Sequence, residues 1–110
     1  MTTHFDILIP GSPIETREVE LAADPGYDAI ARVLAPWFGK TEFEHVNILM
    51  PDRTTYSDMF VDEMGHPKGL PANDAATVHY VRNAQVHHIP GWEDVWIAGP
   101  AIVFHRRVWF

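Results

Sequence analysis

The sequence predicts an α+β fold: a mostly antiparallel sheet of five to six strands, with one main helix and one short helix, roughly ββαββαββ. Three observations predict it. Short runs alternate apolar with polar side chains, or are wholly apolar, near both ends and in the middle of the chain. A single stripe of apolar residues at helical spacing lies between Asp24 and Pro36, with start and stop signals on either side. A second helix start is written at Asn73, after two glycine turns.

In order, His4 to Ile9 places Phe5, Ile7 and Ile9 on one face and His4, Asp6 and Leu8 on the other, a strand pattern. Pro10-Gly11-Ser12-Pro13 reverses the chain, and Ile14 to Leu21 returns as the second strand of a hairpin with its charged side in water. Asp24 is placed to be an N-cap and Pro25 the first helical residue, where a missing N–H costs nothing. Ala29, Ile30, Val33 and Leu34 form the buried stripe of this main helix, and Pro36 and Gly39 end it. Glu42 to Met50 is a third strand whose alternation slips between Phe43 and Val46, leaving room for a bulge. Pro51 to Thr55 is a polar loop, and Tyr56 to Val61 a fourth strand. The short helix runs from Asp74 to about Tyr80, with both helices on one face of the sheet. Residues 82–93 read as an irregular loop, and Asp94 to Ala98 and Ala101 to Phe104 as two β-rich runs joined at Gly99-Pro100.

The totals bound the function. At 110 residues, 46% hydrophobic and 21% charged, residues 1–110 form a single globular domain. No run is long enough to span a membrane, and the opening residues lack the pattern of a signal peptide, so the expected compartment is cytoplasmic. Without cysteine there is no disulfide, thiolate metal site or cysteine nucleophile. A net charge of −7, with 13 of the 15 acidic residues before position 81, disfavours direct binding of nucleic acid. Seven histidines tempt one toward a metal, but no H-E-x-x-H or H-x-H spacing is present, so no metal or cofactor is expected.

The candidate site is the stretch Met59 to Thr77, MFVDEMGHPKGLPANDAAT. Its turns and cap bring Asp62, Glu63, Asn73 and Thr77 into one neighbourhood as ligand- or partner-binding residues. Asn73 is first of all a helix cap, and Asp62 and Glu63 would serve as an acid–base pair only with a histidine in reach. His87 and His88, together with Trp92 beside the Pro90-Gly91 turn, are further contact candidates in the late loop.

The pattern M-F-V-D-E-x-G-x-x-K-G-L-P-x-N-x-x-A-T at Met59 to Thr77 resembles the hallmark of a family of small phage, plasmid and bacterial proteins, the domain of unknown function 3846 family. ILIPGSPIETREVEL resembles that family's opening hairpin, Tyr27 to Val46 its helix and strand, and Ile97 to Val103 its late strand pair. Trp37-Phe38-Gly39-Lys40 departs from the glycine-rich turn common there, and Ala72-Asn73-Asp74-Ala75 lacks the arginine often seen after the asparagine. The resemblance implies a mobile-element accessory protein and no reaction. The expectation is therefore a non-catalytic protein that binds a host protein, with a counter-defence or host-regulation role. Its acidic first 80 residues would steer it to a basic surface. The alternatives are a binder or sponge of a nucleotide-like small molecule and a small enzyme using Asp62 or Glu63 with a histidine. A homodimer is compatible with each.

Overall fold

In a computed structural model, which describes residues 1–39, 42–52 and 54–110, the chain forms a five-stranded antiparallel sheet with a helix on each face. The elements are β1 (Thr2–Leu8), β2 (Glu15–Glu20), α1 (Tyr27–Phe38), β3 (Phe43–Leu49), β4 (Tyr56–Asp62), α2 (Asp74–Val86) and β5 (Ala101–Phe104). A single 3-10 turn, Trp92–Asp94, lies between α2 and β5. The α+β class and the expected order hold, with one strand fewer than the upper expectation: Val95 to Ala98 pairs with no strand of the sheet, its β contact being an isolated bridge from Ala98 to Ala72. No helix among the described residues is long and apolar enough to cross a membrane.

The sheet order is β2-β1-β5-β4-β3, so the last strand in sequence is the middle of the sheet. Ala101 to Phe104 is apolar at every position because both its faces are covered. Ile102 and Phe104 point to the α1 side with Phe5, Ile7 and Phe60, against Ile30, Leu34 and Phe38. Ala101 and Val103 point to the other side with Leu8, Met59 and Val61, against Ala76 and the half-buried Tyr80 of α2. The helices therefore occupy opposite faces, not the one face expected. The uninterrupted apolar runs Met59-Phe60-Val61 and Ala101 to Phe104 are the reason, since a strand with one wet face would alternate. Phe60 and Phe104 are fully buried, and each contributes about 2–3 kcal/mol by leaving water.

Helix boundaries shift for local reasons. Gly26, not Asp24, is the N-cap of α1, and its φ of 81° is a backbone state that an aspartate at the cap would avoid. Pro36 sits inside the last turn: it withholds one N–H, but its φ suits a helix, so α1 runs on to Phe38, where the Gly39 N–H bonds the Ala35 carbonyl at 2.7 Å. The expected short helix is the longer one. α2 spans 13 residues because Ala76, Tyr80 and Ala84, at i, i+4 and i+8, lay a slim stripe close to the sheet. Much of the expected 82–93 loop is thus helix. The expected bulge is absent: β3 pairs with β4 residue for residue from Phe43 opposite Asp62 to Leu49 opposite Tyr56. The loop Pro51 to Thr55 turns on Asp52, whose carboxylate accepts from Thr54 and Thr55 and is held at a pKa of about 2 by the Thr55 hydroxyl and these backbone N–H groups. Arg53 in that loop, like Lys40 and Thr41, lies outside the described residues.

Candidate functional site

β4 delivers Asp62 into a compact sequence of turns. The Asp62 Oδ1 accepts the Met64 N–H at 2.8 Å and its Oδ2 meets Lys68 Nζ at 2.9 Å, closing a loop over the residues between them. Inside that loop Gly65 presses on the Ala98 carbonyl, and a Cβ there would collide with it. Leu70 N–H returns to the Gly65 carbonyl at 3.0 Å, which turns the chain toward Asn73.

Asn73 caps α2 as expected, its Oδ1 accepting from the Ala76 N–H at 3.1 Å. Its Nδ2 also donates to the carbonyls of Leu8 and Gly99, both at 2.9 Å, so one buried amide ties α2 to the end of β1 and to the approach of β5. Thr77 continues the connection: its hydroxyl donates to the Asn73 carbonyl at 2.8 Å and accepts the Ile97 N–H at 2.9 Å. With Asn73 only 2% exposed, the Asn73–Thr77 pair is a clamp within the fold, although the half-buried Thr77 also borders an open cleft of about 360 Å³ along α2 with Val78, Val81, Arg82 and Gln85.

Asp62 and Glu63 instead border a groove of about 220 Å³ between β3, the β4 turn and the segment Val95 to Ala98, one of several surface clefts of similar or larger size. The half-buried Val46 and Tyr80 line it together with the exposed Trp96, His66, Glu44 and Glu63. Trp96 is 45% exposed. His66 Nε2 lies 2.7 Å from the Trp96 carbonyl, which only accepts, so this nitrogen carries the hydrogen and the ring is held edge-on to the indole. Glu63 is pushed above the ordinary glutamate range, first by a hydrogen bond with Glu42 and then by the charges of Glu42 and Glu44. Three carboxylates thus crowd the end of β3 and β4.

The remaining sequence candidates lie elsewhere. His87, at the C-terminus of α2, shares a 3.0 Å hydrogen bond with the Tyr56 hydroxyl. His88 follows at a positive φ of 53° in the turn beyond. Trp92 is half-buried in the 3-10 turn, so the exposed tryptophan of this region is Trp96. Of the seven candidates, only Asp62 and Glu63 line the groove. The printed sequence held one signal for Trp96 that β-strand reading obscured: a tryptophan between Val95 and Ile97, just before a Gly-Pro turn.

Among the described residues, histidine–carboxylate contacts form, but not at Asp62 or Glu63. His105 meets Asp6 at 2.8 Å and His4 meets Glu18 at 3.2 Å on the sheet face that α2 leaves open. The buried one is His45 with Asp58, at 2.7 Å. Asp58 is on the α1 side of β4 and also accepts the N–H groups of Val108 and Trp109 at 2.7 and 2.9 Å. Burial pushes this carboxyl up, but the His45 ring and the two backbone donors outweigh it and hold it below the ordinary range. His45 stacks on Trp109, which packs in turn on Phe43, Phe60 and Tyr27, so the pair anchors the last residues of the chain. Compared with known proteins, the chain matches no family model, no curated protein and no solved structure.

Proposed function

We propose that this chain is a protein-binding domain that acts by holding a partner rather than by carrying out a reaction. The observation that carries the reading is Trp96, exposed in a groove that it shares with the apolar Val46 and Tyr80 and with the carboxylates of Glu44 and Glu63. A tryptophan that can be desolvated in a pocket is the commonest kind of binding hot spot, and flanking carboxylates select and steer a basic partner. The net charge of −7 adds to that steering. The motif resemblance makes the partner a host protein of a phage or mobile element, approached through a basic segment with an apolar anchor.

A nucleotide-like ligand is less well supported. The groove holds about 220 Å³, below the roughly 300–1,000 Å³ of sites that enclose such molecules, and the cleft of about 360 Å³ beside Thr77 is an open face of α2 with Arg82 as its one charged group among the described residues. Asn73 and Thr77, the polar groups expected to grip a ligand, spend their hydrogen bonds inside the fold.

Panning a random-peptide display library on the immobilised protein tests the proposal. Enriched peptides are expected to pair a basic with an apolar residue, to weaken with salt, and to be lost on Trp96→Ala and on Glu44→Lys. Enrichment indifferent to Trp96→Ala would refute it.

A further inference from the structure

We infer that the partner binds as an added β-strand on the free edge of β3, antiparallel to it, carrying an apolar and then a basic residue two positions apart. This rests on the partner-binding reading and names the form that the bound segment takes.

The edge is open and regular. β3 is the outer strand of the sheet, paired on one side only. The Glu63 N–H bonds the Glu42 carbonyl at 3.1 Å and the Met50 N–H bonds the Thr55 carbonyl at 2.8 Å, so the even residues of β3 exchange their bonds with β4. Antiparallel pairing alternates, and the N–H and C=O groups of Phe43, His45, Asn47 and Leu49 therefore point outward. Arg82 Nη1 caps the Leu49 carbonyl at 3.1 Å. Among the described residues, no hydrogen bond reaches the outward groups of Phe43, His45 and Asn47. Edges are ordinarily blunted by lysine, proline or a bulge. β3 has no lysine or proline, and its pairing is unbroken. The other edge, β2, reads ETREVE and carries a charge at four of its six positions.

The side chains beside this edge define what would pair with it. Glu44 and Val46 share the α2 side of β3, and they line the groove with Glu63 and Trp96. A strand bonded to the outward groups of His45 sets its own neighbouring residues directly opposite Val46 and Glu44, the close non-bonded positions of the ladder. An apolar side chain opposite Val46 reaches Tyr80 and Trp96. A basic one opposite Glu44 meets the three crowded carboxylates of Glu42, Glu44 and Glu63. Antiparallel addition, the mode of every pair already in the sheet, orders them apolar before basic. A second copy of β3 would bring its own glutamates to this acidic edge, so the charge favours a basic partner over self-association.

The probe is the synthetic peptide Thr-Thr-Leu-Thr-Arg-Thr-Thr, titrated into the 15N-labelled protein. Amide exchange at Phe43, His45 and Asn47 is expected to slow about tenfold or more at saturation, with Glu44 and Val46 unchanged. N-methylating the central Thr of the peptide, whose N–H faces β3, should abolish binding, whereas N-methylating the Arg should not. Asn47→Pro, which deletes an outward N–H without touching the β4 ladder, should weaken binding about tenfold while circular dichroism and Tm stay near wild type. Shifts confined to Trp96 and Tyr80, with exchange at Phe43, His45 and Asn47 unchanged, would overturn strand addition and leave the groove reading standing. No shift at all would also overturn it, and the display experiment would then judge the groove alone.

Discussion

Replacing Asn73 by alanine tests the central clamp. The substitution removes a helix cap, worth about 1 kcal/mol. It also removes a donor from two interior carbonyls: Gly99 is left unbonded at a cost of at least about 1 kcal/mol, and Leu8 keeps its β5 partner Ala101 but loses a bond worth about 1 kcal/mol. Together the loss is about 3 kcal/mol, a large share of the stability of a domain of this size. With a urea slope of about 1.5 kcal/mol/M, the unfolding midpoint falls by about 2 M. Asn73→Asp separates the two parts: it keeps the oxygen that caps Ala76 but turns a carboxylate toward the two carbonyls. Urea melts at pH 7 should find it at least as destabilised as Asn73→Ala. If Asn73→Asp melts like wild type, or if Asn73→Ala costs only the cap, the two long-range bonds contribute nothing and the clamp is a misreading.

Asp58→Asn replaces an acceptor of three hydrogen bonds by a group that must present an N–H to one of them. It should cost about 2–4 kcal/mol and speed amide exchange at Val108 and Trp109. Because the folded pKa of Asp58 is depressed, its contribution is whole above the ordinary value of 3.8 and lost as the pH falls through the folded value. A pH–stability curve of the variant should therefore decline less steeply in acid. His79 is the opposite chemical case: burial first, and then the Arg82 guanidinium, lower its pKa from 6.5, against a raising influence of Asp6. Its neutral form suits the fold, so stability is present above 6.5 and falls as the pH drops below it. Thermal melts of His79→Gln should lose less stability than wild type between 6.5 and about pH 5. Gly65→Ala drives a methyl into the Ala98 carbonyl and should cost about 2 kcal/mol or more by urea melts.

Local chemistry made the elements legible. The Ile30 and Leu34 stripe, the Asn73 cap and the Pro10 to Pro13 turn each act within a few residues, and each lies where the pattern placed it. What failed was long-range. α2 outran Tyr80 because Ala84, one turn further on, is also buried by the folded chain, which no neighbour in sequence announces. Asn73 and Thr77 looked available because their other partners, Leu8, Ile97 and Gly99, are distant in the chain. Turn chemistry alone grouped Asp62 and Glu63 with Asn73 and Thr77, whereas the groove that the two carboxylates line with Trp96 depends on how residues 95–98 settle beside β4 and α2. Asp58 was readable in part: it shares the parity of Phe60 in β4, which points a carboxylate at the α1 side of the interior.

The sheet order also dictates a sequence of events during synthesis. β1 with β2, and β3 with β4, are hairpins that can form as soon as they leave the ribosome. The strand that joins them, β5, emerges after both and inserts between β1 and β4. Until it does, two apolar strands stand with unpaired inner edges, and neither hairpin has the other to bury against. The nascent chain therefore presents two half-sheets with open apolar edges until β5 arrives, and a truncation before Ala101 would leave two unjoined hairpins in place of a weakened domain.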